Sequence, residues 1–91
     1  MWMLTRDFVS TDAPEGQCVT VCSQNLREDR VERLVHRFRL LGDDGYIQGE
    51  GIADSCDDAK ALGPMDDFGE GAWGSTAIEY WDEIRQRWEM L

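Results

Sequence analysis

Three cysteines and one histidine are the residues of this chain best suited to hold a metal ion. They are Cys18, Cys22, Cys56 and His36, which offer the thiolate and imidazole groups that zinc prefers. No two cysteines stand at the two-residue spacing of a zinc knuckle. If residues 18–22 form a strand, Cys18 and Cys22 lie about 13 Å apart at a rise of ~3.3 Å per residue, too far to bind one ion. We therefore expect no metal and three small, buried thiols.

The sequence also lacks the other common arrangements that carry catalysis or bind ions. The acidic stretches at 43–45 and 54–58 lack the regularly spaced carboxylates of a calcium loop. No Gly-x-Ser-x-Gly nucleophile motif occurs, and the glycine-rich stretches at 49–51 and 69–72 contain a glutamate that would repel a phosphate. Asp66 and Asp67 could act as an acid and a base, but adjacent carboxylates point apart on most backbones. The sequence therefore predicts a protein that is not an enzyme and has no cofactor.

Charge is divided unevenly along the chain. Residues 1–41 contain six acids and six arginines, whereas residues 42–91 contain thirteen acids against Lys60, Arg85 and Arg87. The net charge of −10 therefore belongs to the second part. Such a field repels nucleic acid and anionic membranes and attracts basic surfaces. We expect the partner to be a basic protein surface, with no direct contact to nucleic acid and no membrane.

The acids between residues 43 and 70 predict a surface that occupies a groove built for phosphates. Trp73 follows them, and tryptophan is enriched at the energetic centres of interfaces, although core packing is the expected role of at least two of Trp73, Trp81 and Trp88. The predicted partner-binding residues are Asp43, Asp44, Asp54, Asp57, Asp58, Asp66, Asp67, Glu70 and Trp73. Solvation of a small protein accounts for the same acids equally well.

Length and composition predict one small folded domain over residues 1–91. The apolar share of 42% and the nine aromatic residues distinguish the chain from an acidic disordered tail. A core of this size gives modest stability, and a homodimer would bury more apolar surface. No apolar run is long enough for a signal peptide or a membrane span, and three cysteines are an odd number. We therefore expect a cytoplasmic location in the host cell.

Turn residues divide the chain into hairpins. Residues 1–9 and 17–22 read as strands joined by the turn residues of 11–16, and residues 42–45 form a second hairpin connection. The order predicts an α+β fold with an antiparallel sheet of hairpins and one or two short helices, with a mostly β fold as the alternative. Residues 54–74 are rich in Gly and Asp and predict a long loop.

Two segments fit either helix or strand. Asn25 and Glu28 could form a capping box, and residues 31–41 carry apolar side chains at helical spacing, but residues 34–40 also alternate like a strand. We expect a short helix near 25–33 followed by a strand near 34–41, with one helix through 41 as the alternative. Residues 75–91 favour a hairpin over a helix.

Several motifs in the last fifty residues resemble those of small acidic proteins of phages and mobile elements. They are the sequence DDG at 43–45, the sequence DDFG at 66–69 and the sequence IEY at 78–80 followed by Trp88. Size, acidity and the lack of catalytic motifs resemble anti-CRISPR proteins as a class. This resemblance implies a non-enzymatic inhibitor that binds a CRISPR–Cas effector through an acidic surface competing with DNA or RNA. The alternatives are an immunity or antitoxin protein that neutralises a basic nuclease, and a small phage structural or interaction protein.

Overall fold

The fold is built on a six-stranded antiparallel sheet. A computed structural model describes residues 1–23, 26, 28–57 and 60–91. The strands are β1 (Trp2–Asp7), β2 (Gln17–Cys22), β3 (His36–Leu41), β4 (Ile47–Ala53), β5 (Ala77–Asp82) and β6 (Arg87–Met90). Their order across the sheet is β2-β1-β4-β3-β5-β6, and every pairing is antiparallel.

Three local hairpins make up this sheet, as the turn residues predict. They are β1–β2, β3–β4 and β5–β6, and the pairings β1–β4 and β3–β5 join them. In the β3–β4 turn, Gly45 adopts a φ of 79° and donates its N–H to the carbonyl of Gly42 at 3.0 Å. The strands over 36–41 and 77–90 exclude the alternative helices for those segments.

The helical content is lower than an α+β fold implies, so the mostly β alternative fits better. A 3-10 helix at Glu28–Arg33 stands where a short helix was expected over 25–33, and Asn25 lies outside the described residues. The prediction of a loop throughout 54–74 was wrong. A π-helical turn at Met65–Gly69 continues into a one-turn helix, α1 (Glu70–Trp73), which ends at Gly74 with a φ of 66°.

One face of the sheet is covered by residues 54–57 and 60–75, which we call the covering segment. Alternate side chains of the strands point into this face, and the fully buried ones are Leu4, Phe38, Leu40 and Ile78. The covering segment packs Phe68 against this core and buries Ala61. Two side-chain hydrogen bonds fasten it: Tyr80 Oη donates to the Ala61 carbonyl at 2.7 Å, and the Trp2 indole donates to Asp67 at 3.2 Å. Burial, together with nearby Cys56 and Asp54, raises the pKa of Tyr80.

Two glycines in β4 allow aromatic rings to sit directly on the sheet. A Cβ at Gly49 would stand 2.6 Å from the Trp73 ring, and a Cβ at Gly51 would stand 2.5 Å from Phe38. These separations are far inside van der Waals contact, so no larger residue fits without moving the rings. The rings of Phe38, from β3, and Trp73, from the covering segment, therefore fill the space above these two glycines of β4.

Replacing Gly51 by alanine should destabilise the fold strongly. The added methyl group overlaps Phe38 and the carbonyl oxygen of Met3, so we expect a loss of about 2–3 kcal/mol in the free energy of unfolding. Gly71→Ala is the matched control, because a Cβ there meets no atom within 4 Å. Alanine also favours the helix by up to ~1 kcal/mol, so this variant should equal or exceed the wild type. Urea unfolding measures both, and equal midpoints for the two variants would contradict the packing described here.

Asp7 is the last residue of β1, and its buried carboxylate accepts hydrogen bonds from the turn that follows the strand. Its Oδ1 accepts hydrogen bonds from the backbone N–H groups of Val9 at 2.7 Å and Ser10 at 3.0 Å. Burial opposes the charge, but the hydrogen bonds from Ser10 and Val9 outweigh it and hold the pKa of Asp7 below its usual value. The charged form therefore stabilises the turn that follows β1.

Asp7→Asn should make the free energy of unfolding less dependent on pH in the acidic range. Asparagine keeps an oxygen for the two N–H groups but loses the charge, so we expect a loss of about 0.5–1.5 kcal/mol at pH 7. Because the folded-state pKa is lowered, this contribution is complete above the ordinary carboxyl pKa of ~3.9 and disappears as the pH falls through the folded-state value. Urea unfolding from pH 7 to pH 2 should show the gap between wild type and variant closing. A gap that stays constant would show that the charge contributes nothing.

Candidate functional site

The covering segment exposes acids because its other side is needed for the core. In the turns over Met65–Gly69 and Glu70–Trp73, Phe68 and Gly69 face the sheet. Asp66, Asp67 and Glu70 are exposed. Asp67 accepts the Trp2 indole hydrogen bond. Three predicted contact residues are thus brought together on one outward surface.

The remaining predicted acids lie towards the two ends of this segment. Asp43 and Asp44 are exposed in the β3–β4 turn, and Asp44 accepts the N–H of Tyr46 at 2.9 Å. Asp54 follows β4 and accepts the amino group of Met1 at 3.1 Å, and Asp57 accepts the N–H of Lys60. Asp58 lies outside the described residues.

Hydrogen bonds place the β3–β4 turn beyond the end of the covering segment. The Gln48 amide, three residues after the turn, donates to the Trp73 carbonyl at 3.0 Å and accepts from the Ser75 hydroxyl at 2.6 Å. The acids therefore run along one side of the molecule, from Asp54 at the start of the segment to Asp43 beyond its end.

Few bases neutralise this acidic side. Among the residues that the structure describes, the ion pairs of the second half involve Asp54, Glu79, Asp82 and Glu89. None of these pairs includes Asp43, Asp66 or Glu70, all of which are exposed. Their charges act together on the solvent and on any approaching surface.

The three thiols lie at the surface, which corrects the expectation that they are buried. Cys18 and Cys22 are exposed on edge strand β2, and Cys56 is exposed in the covering segment. An edge strand with one face towards solvent leaves alternate side chains without a covering layer. Within the described part of the chain, no group of three His, Cys, Asp or Glu side chains is placed to hold a metal ion.

A cleft of about 600 Å³ opens where the covering segment meets the start of β1. Trp2 and Pro64 contribute its apolar wall, while Arg30, Lys60 and Asp54 bring charges of both signs to its rim. The mixture of charges gives this cleft no clear preference for an anion or a cation. Asp67 of the acidic side also lines this cleft, so Arg30 and Lys60 lie at the border of that side.

The opposite face of the sheet carries a cluster that the sequence analysis did not assign. Arg37 lies over the rings of Trp81 and Trp88, at 5.6 and 5.3 Å from their centroids, and Arg39 lies 4.4 Å from the centroid of Trp88. The two indoles meet edge to face at 5.5 Å. Arg39 also pairs with Glu79 on β5. The alternation of Arg37 and Arg39 with buried Phe38 and Leu40 was the available signal that these arginines share the outer face.

The β5–β6 turn beside this cluster is held by Asp82. The backbone N–H of Arg85, and then that of Ile84, donate to Asp82 Oδ1 and hold the pKa of this carboxyl below its usual value. The turn leaves the Ile84 side chain 94% exposed. The hairpin therefore projects into solvent beyond the aromatic cluster.

Comparisons of the chain with protein-family models, with curated proteins and with solved structures find no match. In the described residues, no helix has the length and apolar character needed to cross a membrane.

Trp73, which the sequence predicts as a partner contact, has a packing role in the structure. Its ring lies on Gly49 and meets Phe68 edge to face at 5.0 Å. Trp73→Ala should therefore lower the free energy of unfolding by about 2–4 kcal/mol, because it leaves a cavity above β4. Ile84→Ala is the matched control and should change it by less than about 0.5 kcal/mol, since Ile84 is almost fully exposed. Thermal or urea unfolding measures both. Unchanged stability of Trp73→Ala would leave this ring free to act as a partner contact.

Proposed function

We propose that this chain is a non-enzymatic inhibitor whose acidic side binds a basic, nucleic-acid-binding surface of a partner protein. A CRISPR–Cas effector is the proposed target. The binding surface comprises the exposed acids Asp43, Asp44, Asp57, Asp66, Asp67 and Glu70. By occupying arginines and lysines that otherwise contact phosphates, this surface competes with DNA or RNA.

The observation that supports this proposal is the grouping of exposed acids along the covering segment and the β3–β4 turn. Acids that serve solvation are interspersed with bases over a protein surface. Here Asp66, Asp67 and Glu70 share two consecutive helical turns, and the nearest base along the chain is Lys60. A surface on which acids outnumber bases in this way guides the approach of an oppositely charged partner and raises the association rate.

The rigidity of the covering segment adds to the suitability of its acids. The segment is fixed to the sheet by Trp2, Tyr80 and Gln48 through side-chain hydrogen bonds. Acids on such a support keep their relative positions in the free protein, so binding requires little additional ordering. A flexible acidic tail would pay that entropy on binding.

Charge reversal at Asp66 and Asp67 should slow association with the target. The double variant Asp66→Lys/Asp67→Lys removes the centre of the acidic side, so we expect a five- to tenfold lower association rate constant. Raising salt from about 50 to 500 mM should slow the wild type by tenfold or more, because salt screens the attraction. Surface plasmon resonance against purified CRISPR–Cas effectors, with competing target DNA, measures the rates and the competition.

Asp12→Lys/Glu15→Lys is the matched control for this experiment. It changes the net charge by the same amount at two exposed acids in the β1–β2 loop, and it should change the rate less than twofold. Equal effects of the two double variants, or binding that is indifferent to salt, would contradict the proposal. Inhibition of a basic nuclease toxin, with no effect on any effector, would instead identify an immunity protein.

A further inference from the structure

The face of the sheet opposite the covering segment carries a row of charges that alternates in sign. The register of the strands places six residues side by side across all six strands. In sheet order they are Cys18, Arg6, Glu50, Arg39, Glu79 and Met90. The four central positions thus read positive, negative, positive, negative.

A second row lies beside the first and is mainly apolar. In the same strand order it contains Cys22, Met3, Ile52, Arg37, Trp81 and Trp88. None of the twelve side chains in the two rows is buried. Antiparallel sheets commonly leave one face to solvent, so the pattern of residues on this face, and not its exposure, carries the inference. We call these two rows the open face.

From this pattern we infer that the open face is the interface of a symmetric homodimer. The centre of the sheet lies between β4 and β3. A two-fold axis through this centre, parallel to the strands, brings the first half of each row opposite the second half of the same row in the other copy. Residues on β1 then face residues on β5, residues on β4 face β3, and residues on β2 face β6.

This operation turns the charge row into its own complement. Arg6 of one copy meets Glu79 of the other, and Glu50 of one copy meets Arg39 of the other. Each pair occurs twice, because a two-fold interface is made of the same patch on both chains. A two-fold axis perpendicular to the strands and passing through the charge row would instead place each charge opposite its own copy, so the row disfavours that arrangement.

The apolar row fits the same arrangement. Met3 of one copy lies opposite Trp81 of the other, and Cys22 lies opposite Trp88. Ile52 lies opposite Arg37, whose guanidinium already stacks on the two indoles of its own chain. Sulfur and aromatic groups pack favourably, and Trp and Arg are enriched at the energetic centres of interfaces. A dimer interface of standard size buries about 800 Å² per partner. That is a modest part of the 5796 Å² surface of this chain.

Packing of the two open faces leaves both covering segments on the outside. The dimer would be a sandwich of two sheets about 10 Å apart, with an acidic side on each outer surface. The interface is independent of the proposed function, because neither row contains an acid of the acidic side.

Sedimentation equilibrium and a charge reversal test the dimer directly. The wild type should have twice the 10.4 kDa mass of the chain at micromolar concentration. Glu50→Lys places like charges opposite Arg39 of the second copy at two symmetric positions and should weaken the dimer by tenfold or more. Asp12→Lys carries the same charge change at an exposed residue outside the two rows and should leave the dissociation constant within twofold. Circular dichroism confirms that each variant is folded.

Cross-linking tests the register and does not depend on Glu50. In a background of Cys22→Ser and Cys56→Ser, Met90→Cys would face Cys18 of the second copy. Within one chain these positions lie on opposite edges of the sheet, about 24 Å apart across five strand spacings. A bismaleimide whose span is near the ~10 Å separation of packed sheets should therefore join two chains and should not join these positions within one. Ile84→Cys in the same background is the control, because it is fully accessible but lies in the β5–β6 turn.

Efficient formation of a covalent dimer by Met90→Cys, well above the Ile84→Cys level, would support the proposed symmetry. A monomeric mass at all concentrations, or equal cross-linking of the two variants, would overturn it and leave the open face to a different partner. Salt-dependent binding to an effector could persist in that case, so failure of the dimer and failure of the proposed function remain distinguishable.

Discussion

The contact of aromatic rings with the glycines of β4 is the constraint on which the rest of the fold depends. β4 is a central strand, and its core side offers Gly49 and Gly51 where other strands offer large side chains. Because these glycines have no side chains, they leave space above the backbone of β4. Unfilled space in a core lowers the stability of the fold. Phe38 from β3 and Trp73 from the covering segment fill the space. The covering segment, which connects β4 to β5 along the chain, must therefore cross the core face of the sheet.

The local parts of this fold were predictable because the signals for them are local. Turn residues at 11–16 and 42–45 mark hairpins whose strands are close in sequence, and those hairpins are confirmed. The joining of β1 to β4 and β3 to β5 depends on contacts between distant segments, which turn chemistry does not specify. The helical turns over 65–73 were missed because Gly and Asp disfavour helices intrinsically, and packing of Phe68 and Trp73 against the sheet overrides that preference.

The candidate surfaces were also predictable only in part. Exposure of Asp43, Asp44, Asp66 and Asp67 follows from their type and was predictable residue by residue. The roles of the tryptophans could not be predicted in this way, because a tryptophan suits a core and an interface equally well. Trp73 packs in the interior, whereas Trp81 lies on the outer face with Arg37. Strand register decides between these roles, and register becomes known when the partners of each strand are known.

The placement of charge explains how a chain with a net charge of −10 tolerates its own repulsion. On the open face, charges alternate in sign across the strands, so neighbours attract, as Arg39 and Glu79 do. The excess acids lie on the covering segment and at the β3–β4 turn, where water and salt screen them. Their mutual repulsion weakens with salt, as would their attraction for the proposed basic partner. Low salt would therefore favour that binding at the expense of stability, because the acids proposed to speed recognition are also the ones whose repulsion the core must offset.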